Sequence, residues 1–208
     1  QPIGAWDTRQ VTDMSGMFGF ATAFNQPIGT WDTSNVTNMD GMFTAASTFN
    51  QPVGDWDVSQ VTDFRSMFSL AQSFNQDISN WDVSSGTQFS SMFDGATVFN
   101  RPINGWDISK ATEMSAMFRG AVAFNQPLDQ WDTSGVTTMA NLFSGASSFN
   151  QDISSWNVSD VNAAGAISMF ESATSFNQDL SSWCVSKISS EPSGFDNGAS
   201  AWSEPRPV

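Results

Sequence analysis

The hydrophobic positions of this chain recur with a period of 25 residues. When the sequence is divided at residues 1, 26, 51, 76, 101, 126, 151 and 178, every block has a tryptophan at its sixth position. A fixed period of this length is typical of proteins whose repeats pack only against their neighbours. The pattern therefore predicts one array of eight repeats. Its tryptophan column is Trp6, Trp31, Trp56, Trp81, Trp106, Trp131, Trp156 and Trp183.

A first rhythm opens each repeat and predicts a short strand. In the second repeat Ile28, Trp31 and Thr33 are spaced by three and then two residues, and the last two flank the polar Asp32. Such alternation is what a strand with one buried face requires. We therefore expect a short parallel strand at Trp-Asp-x-Ser in every repeat.

A second rhythm follows and predicts a short helix. Val36, Met39, Met42, Phe43 and Ala46 are spaced by three and four residues, which places them on one helical face, and Thr37, near the start of this run, is a suitable N-cap. The predicted fold class is an α/β solenoid, leucine-rich-repeat-like, with eight coils that each carry a short parallel strand and a short helix.

The regular pattern defines the predicted domain limits. Residues 1–187 form a single array, and residues 188–208 form a C-terminal cap and tail, because the Val-Thr-x-Met pattern is absent after Lys187. The seventh repeat contains two additional residues within 161–167, which are expected in a surface turn. Phe195 retains part of the pattern, whereas Trp202 has no counterpart in the other repeats.

Composition excludes several classes of function. Asp and Glu number 21 against 7 Lys and Arg, and the net charge is −14, so nucleic acid is an unsuitable partner. No apolar run reaches the length of a membrane span. The chain contains no His, which rules out Ser-His and Cys-His catalytic pairs, and we predict that it is not an enzyme.

An aspartate column follows the tryptophans and is the candidate binding face. By alternation these carboxylates face solvent, and turn amides and Ser or Thr side chains two or more residues later are available to hydrogen-bond them. Alternatively, the column takes up calcium or meets a basic partner. We predict no cofactor other than this possible calcium. The column consists of Asp7, Asp32, Asp57, Asp82, Asp107 and Asp132.

An asparagine column and the tryptophan column are interpreted as structural. The asparagines each follow a core Phe, where a buried amide can bond to the neighbouring repeat. The tryptophans lie on the inward side of the inferred strand, which favours core packing over sugar stacking. The asparagine column is Asn25, Asn50, Asn75, Asn100, Asn125, Asn150 and Asn177.

The motif resembles a known family. Trp56-Asp57-Val58-Ser59 with Val61-Thr62, together with Met39-Asp40-Gly41-Met42-Phe43 and the Phe-Asn-Gln ending, resembles the BspA-like repeats of bacterial and protist surface proteins. The resemblance covers essentially the whole chain. It implies a relation to leucine-rich repeats, a surface or secreted location, and in some members a role in adhesion.

The functional prediction is a non-catalytic extracellular or cell-surface scaffold for binding or adhesion. It contacts a protein or a glycan through the strand face, which comprises the aspartate column and the variable residues Ala5, Thr30, Asp55, Asn80, Gly105 and Gln130. The alternatives are a structural spacer or coat component, in which an apolar lateral patch supports self-association, and an ice-binding protein. The threonines considered for ice binding are Thr8, Thr33 and Thr133.

Overall fold

The backbone alternates between tight turns and short segments without regular secondary structure. The structure, a computed structural model, describes residues 2–207, so Gln1, where the first repeat begins, lies outside the described residues. The helix found in this range is one 3-10 turn, Ala164–Ala166, and no helix there is long and apolar enough to cross a membrane. Within the same described range, strand pairing is limited to five isolated parallel bridges: Asp13↔Asn38, Asn38↔Asp63, Asp63↔Gln88, Gln88↔Glu113 and Glu113↔Thr138. The predicted leucine-rich-repeat-like α/β solenoid, with a strand and a helix in each coil, is wrong.

The strand predicted at Trp-Asp-x-Ser is replaced by local turns. The N–H of Trp31 donates to the carbonyl of Ile28 at 3.1 Å, and the N–H of Val36 donates to the carbonyl of Thr33 at 2.9 Å. Burial still alternates, since Trp31 and Thr33 are buried and Asp32 is exposed. The alternation of apolar and polar residues therefore predicted correctly which side chains point inward. It did not predict the hydrogen bonding of the backbone. The parallel bridges occur later in the repeat, at Asn38 and its equivalents.

The predicted helix is also a series of turns. Met39, Met42 and Phe43 are fully buried, yet the N–H of Phe43 donates to Met67 of the next repeat at 2.9 Å, and that of Met42 donates to Met39 at 3.2 Å. Positive φ angles at Gly41 (62°) and Ala45 (56°) also interrupt any continuous helix. Thr37 is no N-cap, because no helix follows it and its hydroxyl donates to the carbonyl of Thr12 in the preceding repeat at 3.2 Å.

Stacking between repeats builds the core. Phe43 lies 5.6 Å from its equivalent Phe68, between ring centroids, and 3.9 Å from Phe49 of its own repeat. Trp81 and Trp106 stack at 6.3 Å. One cluster of buried residues extends from Ile3 to Trp202. Each repeat is therefore stabilised through its neighbours, both by aromatic packing and by the backbone bonds that join them.

The additional residues of the seventh repeat lie before Gly165, within 162–164. The N–H of Met139 donates to the carbonyl of Gly165 at 2.7 Å, so the stacking register is restored at Gly165. Residues 162 and 164 are exposed and residue 163 is partly buried. The 3-10 turn Ala164–Ala166 begins at the end of this segment, and the exposure of the segment agrees with the expected surface turn.

The C-terminal segment continues the stacking. The N–H of Phe170 donates to Phe195 at 2.7 Å, and the N–H of Ser172 donates to Asn197 at 2.8 Å. Trp202, 6% exposed, packs edge-on against Phe176 with 4.7 Å between ring centroids. The N–H of Trp202 donates to Ala199 as that of Phe176 donates to Ala173. Trp202 therefore takes the place of the Phe that ends the preceding repeats, and the expectation that it has no counterpart is wrong. The guanidinium of Arg206 lies 4.3 Å from the centroid of Trp202.

Candidate functional site: the aspartate column

All six members of the aspartate column are exposed and are held by the same turn. In each case Oδ1 accepts a hydrogen bond from the backbone N–H two residues later, which is the geometry of an Asx turn. The donor is Arg9 for Asp7 at 3.2 Å and Ser34 for Asp32 at 3.1 Å. Asp57, Asp82, Asp107 and Asp132 accept at 3.0 Å from Ser59, Ser84, Ser109 and Ser134.

From the second repeat onward, buried residues on both sides of each carboxylate direct it outward. Trp106 and Ile108, on either side of Asp107, are each 2% exposed. The residues that precede the tryptophans, predicted as the variable part of the face, are also exposed: Ala5, Thr30, Asp55, Asn80, Gly105 and Gln130. These side chains lie on an edge made of turns and not on a strand face.

Hydrogen bonds favour the ionised form of Asp7, Asp32, Asp82, Asp107 and Asp132. The Ser109 side chain and N–H lower the pKa of Asp107, and Ser84, Ser134 and Ser34 lower the pKa values of Asp82, Asp132 and Asp32 in the same way. The Arg9 side chain, whose Nη2 lies 2.7 Å from Oδ2 of Asp7, lowers the pKa of Asp7 to about 2. Repulsion from Asp107 acts in the opposite direction on Asp82 and Asp132, but the hydrogen bonds are the larger effect. The column is therefore a row of negative charges at neutral pH.

The carboxylates do not form a metal cluster. Among residues 2–207, no group of three or more His, Cys, Asp or Glu side chains is arranged to hold a metal ion. The column contributes one carboxylate per repeat, whereas calcium takes six to eight oxygen ligands. Within the described part of the chain, no cluster of side chains therefore supports the hypothesis that the column binds calcium. The hypothesis concerned Asp7, Asp32, Asp57, Asp82, Asp107 and Asp132.

Asn157 shows that the turn does not need the charge. It stands where the column ends, and its Oδ1 accepts the N–H of Ser159 at 3.0 Å, as the aspartates do. In the next repeat Cys184 takes this place with an exposed thiol. Substitution of Asp by Asn is thus expected to remove charge while it preserves the turn.

The asparagine column joins one repeat to the next. Oδ1 of Asn50 accepts bonds from the N–H of Asn75 at 3.0 Å and from Nε2 of Gln76 at 2.9 Å. The backbone bond recurs from Asn25 to Asn150, with distances of 2.8–3.0 Å. Asn177 accepts from the N–H of Ser203 at 2.6 Å. These side-chain oxygens are used within the protein.

The tryptophan column is buried from the second repeat onward. Trp31 to Trp183 are 2–5% exposed, and each indole N–H donates to a carbonyl of the preceding repeat at 2.9–3.2 Å. Trp6 differs, with 53% of its surface exposed. The seven buried rings therefore offer no platform for sugar stacking.

A threonine column was missed by sequence reasoning, although Val-Thr recurs through the array. Its hydroxyls donate to the carbonyl of the equivalent threonine in the preceding repeat at 3.2–3.3 Å. By contrast Thr8, Thr33 and Thr133, considered for ice binding, are buried and donate to carbonyls of the following repeat. The column is Thr12, Thr37, Thr62, Thr87, Thr112 and Thr137.

These contacts define a tandem-repeat protein built of stacked turn units with an acidic edge. The chain belongs to the family described as "Mycoplasma protein of unknown function, DUF285", whose model matches residues 1–105 and 87–205. The prediction of a tandem-repeat protein is confirmed. No curated protein and no solved structure matches the chain.

Proposed function

We propose that this protein is a non-catalytic extracellular scaffold that binds a basic protein surface through the aspartate column. The observation that supports this most strongly is the row of six exposed carboxylates, one on each of six consecutive repeats. The resemblance of the Trp-Asp-x-Ser motif to BspA-like surface proteins, which are related to leucine-rich repeats, supports the extracellular location. The DUF285 description names no activity.

The geometry of the carboxylates favours a cationic partner. Within residues 2–207, Oδ2 of Asp82, Asp107 and Asp132 accepts no hydrogen bond from the protein, while Oδ1 is fixed by the turn. A Lys or Arg of a partner has access to this second oxygen, and the turn reduces the entropy lost on binding. The buried indoles make the same edge less suited to a glycan.

The column also lacks the asymmetry that acid–base catalysis needs. Asp82, Asp107 and Asp132 occupy equivalent turns, and their pKa values are shifted in the same direction. A catalytic pair of carboxylates requires one pKa raised and the other left low. Six like sites are better suited to multivalent binding, in which many weak contacts add up.

The test is binding of a 20-residue polylysine peptide by calorimetry, with Asp82→Asn, Asp107→Asn and Asp132→Asn combined in one variant. Loss of three surface ion pairs of about 0.5 kcal/mol each is expected to weaken binding roughly tenfold. Affinity for the parent protein is expected to fall steeply as salt is added.

A matched control variant combines Asp77→Asn, Asp152→Asn and Asp179→Asn. These exposed carboxylates accept the N–H two residues later at 2.9–3.0 Å, as the column does, but lie at a different place in the repeat. We expect the control to retain most of the affinity. Equal losses of affinity for the peptide in both variants would reject the column as the binding face. If the parent protein does not bind the peptide at all, the structural spacer is favoured instead.

A further inference from the structure

A cavity of about 410 Å³ lies between the sixth repeat and the C-terminal segment. Met139, Val158, Val161, Met169, Trp183 and Phe195 supply apolar walls. Residues 188–192 and Arg206 are also part of its lining. Its volume falls in the range of small-molecule sites, which are about 300–1,000 Å³ and predominantly apolar.

The cavity has an identifiable cause in the sequence. Six consecutive repeats place a large side chain at the same inward position: Met14, Met39, Phe64, Phe89, Met114 and Met139. The seventh repeat has Ala166 there, since the N–H of Met169 donates to it just as that of Met42 donates to Met39. Pro192 follows in the C-terminal segment, where it accepts from the N–H of Phe195. Two successive small residues leave the space that Met or Phe fills elsewhere.

The charged groups around the cavity limit the class of ligand. Nε of Arg206 donates to Asp196 at 2.9 Å, and its Nη1 donates to the carbonyls of Trp202 and Glu204 at 3.0 and 3.1 Å. The guanidinium is thus engaged within the protein and is not available for an anionic ligand. Ser189, Ser190 and Glu191 add hydrogen-bonding groups to the lining.

We propose that this cavity binds an uncharged, mainly apolar molecule of about two fused aromatic rings, with at most a hydroxyl or similar group directed at the serines. A dry cavity of about 150 Å³ accommodates benzene, so a cavity nearly three times larger takes a larger ring system. This site is separate from the aspartate column, and its existence does not depend on the proposed function.

The test is the melting temperature of the full chain with 2-naphthol, an uncharged two-ring probe. At about five times its Kd the probe is expected to raise the melting temperature by ~2–4 °C. Ala166→Met, which restores the side chain found in the preceding repeat, is expected to abolish this rise. Ala23→Met, an exposed alanine far from the cavity, is expected to retain it.

Several outcomes decide the proposal. No rise in the parent, or an equal rise in the parent and Ala166→Met, would overturn it. If Ala166→Met does not fold, Ala166→Leu serves as a smaller filling substitution with the same expected loss of response. Phenol, which fills less of the space, is expected to give a smaller shift than 2-naphthol at equal concentration, and a larger shift with phenol would contradict the assigned ligand size.

Discussion

The first and fifth repeats carry the same Trp-Asp pair, yet they bury the tryptophan to very different extents. Trp6 is 53% exposed, whereas Trp106 is 2% exposed. Trp106 stacks on Trp81 at 6.3 Å and donates its indole N–H to Ile78 at 3.1 Å, and both partners belong to the fourth repeat. Among residues 2–207, the ring that stacks on Trp6 is Trp31 of the second repeat, at 6.1 Å.

The same contrast holds for other residues of these two repeats. Met17 is 40% exposed and Met117 is fully buried, and Phe18 is partly buried where Phe118 is completely enclosed. Since the side chains are identical, the difference comes from the contact with a preceding repeat. The interface between two repeats is therefore the unit that stabilises the array, and one repeat contributes only half of it.

Replacement of the two tryptophans gives the largest expected effect. Trp106→Ala is expected to lower the free energy of unfolding by about 3–5 kcal/mol, because it creates a cavity and leaves the Ile78 carbonyl without its donor. Trp6→Ala is expected to cost about 1 kcal/mol or less, since most of this ring is already in water. Urea denaturation of both variants measures the difference.

Trp106→Phe serves as the control, because it retains an aromatic ring and removes the indole donor. Its cost is expected to lie between those of the parent and Trp106→Ala. Similar losses for Trp6→Ala and Trp106→Ala would show that burial against the preceding repeat does not determine stability.

The pattern of inward and outward side chains was accessible from the sequence. Val36, Met39, Met42 and Phe43 were expected inside, and all are fully buried. Asp32 was expected outside and is exposed. Hydrophobic periodicity records which positions face a core, and the 25-residue period aligned those positions from one repeat to the next.

The backbone structure was not accessible by the same reasoning. Apolar spacings of three and four residues fit a helix, but they also fit consecutive tight turns whose other N–H groups bond to the next repeat. The turns depend on positive φ angles at Ser66 (52°) and Leu70 (57°), residues that do not ordinarily mark such a conformation. The local hydrogen bonds of the aspartates could be anticipated from the serines nearby, but a partner for the column is not encoded in this pattern.

The asparagine column provides a sharper comparison between the first repeat and an interior one. Oδ1 of Asn25 accepts from the N–H of Asn50 and from Nε2 of Gln51. Oδ1 of Asn100 accepts from the equivalent groups, the N–H of Asn125 and Nε2 of Gln126. Asn100→Ala is expected to cost about 1–3 kcal/mol, since the N–H of Asn125 loses its acceptor in a partly buried place. Asn25→Ala is expected to cost less, because water reaches the exposed Asn25.

Urea denaturation again measures these costs, with Asn100→Asp as the control that keeps an acceptor oxygen. If Asn25→Ala is as costly as Asn100→Ala, then exposure at the first repeat does not weaken the bonds that it makes to the second. In that case the first repeat would differ from interior repeats in side chains that pack against a preceding repeat, but not in side chains that hydrogen-bond to the following repeat.

The smallest expected effect concerns the pH dependence of stability. Folding lowers the pKa values of Asp82, Asp107 and Asp132 below the ordinary value of about 3.9. The unfolded chain therefore binds more protons, so the stabilisation is complete above pH ~4 and is lost as pH falls through the lower folded values. The melting temperature is expected to drop between pH 5 and pH 2, and to drop less in the combined Asn variant of these three residues.

The first repeat extends this comparison, because Asp7 is the one member of the column paired with an arginine in its own turn. Its pKa of about 2 predicts a carboxyl titration midpoint near pH 2, observable by carbon NMR. Arg9→Ala is expected to raise that midpoint, because the ion pair is lost while a backbone N–H at residue 9 still donates to the carboxylate.

Thermal melts in 1 M salt provide the control for the pH dependence of stability, because salt screens the general repulsion of a chain with net charge −14. A melting temperature that rises between pH 5 and pH 2 under those conditions would contradict the role assigned to the turns, since hydrogen bonds to ionised carboxylates can only weaken as the carboxylates are protonated.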